Sequence, residues 1–354
     1  MSVTKVSSAM QDLTDDYAFT GTISGAGAPS HRNDIINGGL VVNQENVTAP
    51  ADDDYTIGDL FLHVGEGTPV MSLETDGPQG TRPWQKMVLD ANAQGGLVYF
   101  MSNDDVQDYI ANGKLSFGIQ LKTTAATIAN ARIGILKWVG TADAVTSDVV
   151  GTWASDGTNP TLATSWSYEN TPANIGLTTS FARHTVEDVT VDSDTKNIAI
   201  FIWTNDGTIT ASDVIGFSEW QCNPGSTVHA FSQPRKGIVF DDVHYYVERF
   251  NYDTLFAEQV ATGFQQSTTT SSYVIPYGRK RATPSTTTSA ASSWNKRYLA
   301  TGAGGTVVGT NVAEGKRTMS LLLTTAANGA AGAGVALQRN GSTSPCFIMI
   351  DARL

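Results

Sequence analysis

Leu115, Phe117, Ile119 and Leu121 alternate with Ser116, Gly118 and Gln120, the mark of a strand that buries one face. Residues 131–139 (ARIGILKWV) repeat the theme, and residues 185–191 are rich in β-branched side chains. Residues 198–203 (IAIFIW) are apolar at every position, which predicts a central strand covered on both faces. Upstream, residues 34–44 (DIINGGLVVNQ) predict a strand with a glycine bulge or close approach at its middle, and apolar runs follow at 55–64 and 97–101. Residues 214–220 predict another strand, with Ile215, Phe217 and Glu219 on one face and Val214, Gly216, Ser218 and Trp220 on the other. Turn chemistry punctuates these runs at Asp76-Gly77-Pro78, Asn112-Gly113, Asp156-Gly157, Asn174-Ile175-Gly176, Asp206-Gly207 and Asn223-Pro224-Gly225-Ser226. No stretch sustains a helical period for any length. Short strands at this spacing predict an all-β protein built on a sandwich or jelly roll.

The pattern divides the chain. Residues 1–32 are small and polar, with only Val3, Val6, Met10 and Leu13 at helical spacing, and read as an extended N-terminal arm without a core of its own. Residues 33–240 carry the jelly-roll β-sandwich. A seam over 214–250 ends in an aromatic segment, 243–250, with no turn residue inside. Residues 241–354 are then expected to form a second, smaller β-sandwich domain. There the β-branched runs 268–273, 283–293 and 318–325 are separated by glycine clusters near 302–305 and 329–334, and 346–351 reads as a closing strand.

Charge sharpens that division. Residues 1–244 hold 12 Lys and Arg against 29 Asp and Glu, and residues 245–354 hold 10 against 5. An acidic body argues against nucleic-acid binding, which needs clustered cations. The basic C-terminal part could meet an anionic partner, or dock on acidic surface of its own body or of another copy. Two cysteines, Cys222 and Cys346, fall in different expected domains and form neither a disulfide framework nor a zinc spacing. The first residues lack a basic segment followed by an apolar run, so no signal peptide is expected and synthesis is expected in the cytoplasm. No run of 18 apolar residues occurs, so no membrane insertion is expected.

Reactive constellations are scarce. The chain has no GxSxG, Walker or HExxH motif, and its five histidines, His31, His63, His184, His229 and His244, stand singly. Adjacent acids occur at Asp52-Asp53-Asp54 and Asp104-Asp105. Paired carboxylates can cleave glycosides, but loop acids also ligate calcium or stay solvated, so Asp52, Asp53 and Asp54 are candidate metal ligands and no catalytic residue is assigned. Among seven tryptophans, Trp153 and Trp166 sit in polar surroundings and are candidate glycan-binding platforms, with loop packing or a subunit contact as the competing role.

Three segments carry a resemblance. Residues 33–44 (NDIINGGLVVNQ), residues 177–186 (LTTSFARHTV, with Phe181 in an aromatic slot) and the seam with its Asn-Pro-Gly-Ser turn and Tyr245-Tyr246-x-Glu248-Arg249 occur in order. Together they resemble tailed-bacteriophage virion surface proteins: tail fibres, head fibres and capsid decoration proteins whose jelly roll is similar to carbohydrate-binding modules. Gly58-Asp59-Leu60-Phe61 and Asp242-Val243-His244 depart from that pattern. The resemblance implies a non-enzymatic structural protein on the virion surface, a homo-oligomer of trimeric type, anchored by its arm to other phage capsid or tail proteins. The alternatives are a host-glycan-binding adsorption module and, beyond it, a polysaccharide-degrading enzyme.

Overall fold

The computed structural model describes residues 33–354, apart from 91–93, 125–126, 155–156, 205–208, 253–258, 300–303, 326–329 and 341–345. The arm, the turns at Asp156 and Asp206-Gly207 and parts of both glycine clusters lie outside the described residues.

Two antiparallel sheets form the sandwich. The first orders β1 (Phe61–Gly65), β4 (Gly95–Met101), β12 (Asn197–Thr204), β6 (Asn130–Trp138) and β10 (Ile175–Gly176), with β9 (Trp166–Tyr168) also on β6. The second orders β11 (Ala182–Thr190), β5 (Lys114–Thr123), β13 (Val214–Pro224), β3 (Trp84–Val88) and β2 (Val70–Glu74). Their facing sides share one core, into which β5 sends Leu115, Phe117, Ile119 and Leu121 as its alternation requires. Strand β12 is buried at every position. Ile198, Ile200 and Ile202 enter the shared core, while Ala199, Phe201 and Trp203 enter a second cluster on the outer side of the first sheet. That second cluster is roofed by the excursion carrying β7 (Val150–Thr152) and β8 (Thr161–Leu162).

The C-terminal strands take the form of a closed barrel, β15 (Gln259–Gln265), β16 (Thr270–Pro276), β20 (Thr318–Thr325), β19 (Gly304–Glu314), β18 (Trp294–Tyr298) and β21 (Gly334–Arg339). Beside it lies a sheet of β14 (Val247–Tyr252), β22 (Cys346–Asp351) and β17 (Ser285–Thr288). Ile348 and Ile350 of β22 share a core with barrel residues Tyr273, Leu321 and Leu337.

Three local expectations are corrected. Residues 34–44 form turns, not a strand: Asn37 and Leu40 take φ of 61° and 56°, and the Asn37 amide satisfies Val42 and the Gly58 carbonyl in place of a ladder. The close approach expected there is real, because a Cβ on Gly38 would lie 2.2 Å from the Trp220 carbonyl oxygen. Trp220 joins Ile215 and Phe217 in the core, since a bulge between Ser218 and Gln221, with Glu219 at φ 51°, shifts the alternation by one. Two helices occur, α1 (Asn103–Asn112) and α2 (Lys236–Tyr246), so the aromatic segment begins inside a helix. Val239, Val243 and Tyr246 at i, i+4 and i+7 pack α2 onto the sandwich core.

Candidate functional site

Strand β5 turns Ser116, Gly118, Gln120 and Lys122 to the outer face of the second sheet, and β3 turns Trp84 and Lys86 the same way. Register sets these residues side by side. Lys86 and Lys122 both pair with Gly216 of the strand between them, and Arg183 of β11 lies opposite Gln120. Gly216 leaves room for the Trp84 ring, which lies where a Cβ would meet it at 2.8 Å. The Lys122 ammonium stands 3.8 Å from the Trp84 ring centre and 4.6 Å from that of Phe181, while Trp84 and Phe181 meet edge to face at 5.6 Å. The Trp84 indole N–H donates to Asp76 Oδ1 at 2.8 Å.

Beside this cluster opens a groove of about 430 Å³, lined by Gly77, Pro78, Gln79, Gln120, Lys122, Thr179, Ser180 and Phe181. Its walls therefore combine a half-buried aromatic ring with two amides, two hydroxyls and an ammonium. One side of the same face is crossed by the connector after β13. There Arg183 donates to the His229 carbonyl at 3.2 Å, Arg82 pairs with Glu219 at 3.4 Å and lies over the Phe231 ring, and His229 N–H is held by Asn223. Burial pulls the Arg183 guanidinium below its ordinary range, opposed by Glu219. Burial likewise lowers Lys122, with Asp76 and Glu74 pulling the other way and Lys86 adding to the drop.

A second groove of about 470 Å³ runs between the edge strands β10 and β11, past Glu169, Asn170, Asn174, Glu187, Asp188 and Thr190. No aromatic residue lines it among the described residues.

The residues singled out in the sequence lie elsewhere. Trp166 is 6% exposed, packed against Trp138 at 5.1 Å and Phe100 at 5.8 Å, with its N–H on Thr146; its ring is core. Trp153 is half-buried against Phe201 at 6.0 Å. Asp52 accepts from the Gly65 N–H and Asp54 from the Ala51 N–H, whereas Asp53 has one buried oxygen without a hydrogen-bond partner. Among the described residues no group of three or more acids, histidines or cysteines converges as a metal would require. Asp104 and Asp105 open α1, where Asp105 engages the Ser102 cap rather than a cleft. In the sequence Phe181 stands out only by its place in a motif, and Trp84 carries no local signal. Their meeting depends on which strands are neighbours.

No family model matches the chain, and no curated protein matches it. Among solved structures, the chain is similar in fold to carbohydrate-binding modules. "TmCBM61 in complex with beta-1,4-galactotriose" shares 12% identity over 55% of this chain and 99% of its own, with a TM-score of 0.32. The tandem CBM22-1–CBM22-2 domain of Paenibacillus barcinonensis Xyn10C shares 9% over 82% and 93%, with a TM-score of 0.30. The family 11 module of Clostridium thermocellum with a mixed-linked tetrasaccharide shares 10% over 51% and 97%, at 0.28. The likeness is one of all-β sandwich architecture.

Proposed function

We propose that the protein binds saccharide without cleaving it, and that the groove beside Phe181 is the binding site. The observation that carries this reading is the composition of the walls. An aromatic ring offers a surface for the apolar face of a pyranose, and Gln79, Gln120, Thr179 and Ser180 supply donors and acceptors for its hydroxyls. The lining contains no carboxylate, histidine or cysteine among the described residues, so it offers neither a general acid nor a nucleophile for glycoside hydrolysis. The nearest acids have partners: Asp76 holds the Trp84 indole and Glu74 accepts from Ser72. Titration against a glycan panel tests the reading. Phe181→Ala is expected to lower affinity about tenfold, roughly 1.4 kcal/mol, with Trp153→Ala as the control that leaves it unchanged. A panel without any bound saccharide ends this assignment.

A second reading places that binding on a phage particle. It draws on the three motif segments, which meet one another in the fold. Asn33 donates to the Trp220 carbonyl at 2.8 Å, Gln44 bonds the Val247 carbonyl and the Arg249 N–H, and Arg183 reaches the connector at His229. Here the protein would be a virion surface component, a homo-oligomer attached through residues 1–32. Removing residues 1–30 is expected to leave a folded, glycan-competent protein that no longer joins particles, scored by its recovery with purified virions. Full incorporation of the truncated protein would count against the anchor.

A further inference from the structure

The groove has a feature that a neutral sugar does not require. Residues 1–244 are strongly acidic, with only 12 Lys and Arg, yet Arg82, Lys86, Lys122 and Arg183 share one face of the second sheet or its rim. Arg82 is paired with Glu219 and Arg183 is tied to backbone carbonyls. Lys86 and Lys122 differ. Among the described residues neither has a carboxylate within ion-pair distance, and Lys122 is held by the faces of Trp84 and Phe181 instead. A lysine seated on π faces has no carboxylate neutralising it locally, so its positive charge and N–H donors are open to another acceptor.

The tryptophan points the same way. Trp84 is 4% exposed, with one face on Gly216 and the ammonium over its ring, so what this wall offers the groove is a positive charge framed by aromatic carbon. Lys86 stands two strands away in the same cross-strand row, roughly 10 Å across the sheet. The burial that depresses the Lys122 ammonium would be offset by a bound anion.

Resting on the saccharide reading above, we infer that the ligand of this groove is an anionic saccharide, whose carboxylate or sulfate is met by Lys122, with Lys86 contacting the same chain further along. The acidic remainder of the body repels polyanions at long range, so selection depends on this short-range contact and weakens with salt.

A panel with three arms tests this: uronate-containing oligosaccharides, sulfated oligosaccharides and neutral oligosaccharides, with polyglutamate as a charge-only control. The expected result is binding in one acidic arm, at least tenfold tighter than any neutral sugar and reduced by added sodium chloride. Lys122→Gln is expected to cost about tenfold, and Lys86→Gln, which disturbs no aromatic contact, a smaller factor. The arm that binds tells carboxylate from sulfate. If neutral sugars bind equally well and neither lysine matters while Phe181→Ala does, the anionic assignment falls and the saccharide reading stands. If nothing binds, both fall. Equal binding of polyglutamate also overturns the inference, because charge alone would then explain the affinity.

Discussion

Asp53 shows how a single residue of the expected metal run behaves once folded. It adopts φ 63° in the loop before β1. Burial first, and then Asp52 and Asp148, push its carboxyl up to about 6, against a hydrogen bond from Ser147. The unfolded value is roughly 4, so the folded chain holds this proton more tightly. The residue therefore favours the folded state at low pH, and that contribution disappears as pH rises through about 4 to about 6. Above that, an ionised Asp53 is a standing cost. Asp53→Asn removes the charge and retains a side chain that tolerates the left-handed region. The variant should raise the urea midpoint at about pH 8 and leave it unchanged at about pH 4. A gain of equal size at both pH values would show that the charge is not the cause.

At the scale of elements, the strands were legible and the helices were not, for different reasons. Helix α1 carried a readable signature: Ser102 as N-cap, acids in the first turn and Gly113 in the left-handed C-cap at φ 72°. Over so short a span, the same residues are equally compatible with loop acids followed by an Asn112-Gly113 turn. Replacing Ser102 with Ala should lower stability by about 1 kcal/mol, read from urea denaturation, because the Asp105 N–H then loses its acceptor. Helix α2 is a harder case. Its buried stripe of Val239, Val243 and Tyr246 is masked by exposed Ile238, Phe240 and Tyr245, and β-branched and aromatic residues are weak helix formers. Tertiary packing holds it. The bulge in β13 belongs here too, since no local feature of Ser218-Glu219-Trp220 announces that one residue will be left out of the ladder.

Across the whole molecule, the last residues of the chain bind the turns and loop that precede β1. Arg353 donates to both Glu45 oxygens, to Asp351 and to the Asp59 carbonyl, and lies 3.8 Å from the Tyr55 ring centre. Burial opposes its charge, but Asp351 and Glu45 more than compensate and hold the guanidinium above its ordinary range. Lys280, fully buried, pairs with Glu248 at 2.7 Å nearby, and Gln44 bonds Val247 and Arg249. These ties lead to the expectation that sandwich and barrel unfold in one calorimetric transition. Arg353→Met should cost about 3–5 kcal/mol by stranding buried carboxylates, and should split that transition in two. Adding Glu45→Gln should recover part of the loss. A single unaltered transition in the variant would remove the latch from the account.

The sequence by itself determined the all-β class and most strand positions, because period-two alternation and turn residues act through neighbours one or two positions apart. It also determined the acidic body and the scarcity of reactive groups. Tertiary structure alone decided that Trp166 is core, that Trp84, Lys122 and Phe181 form one cluster beside a groove, and that Arg353 closes on Glu45. Each of those depends on which strands lie side by side. Strand order is set by long-range packing of side chains far apart in the chain, and local pattern does not encode it.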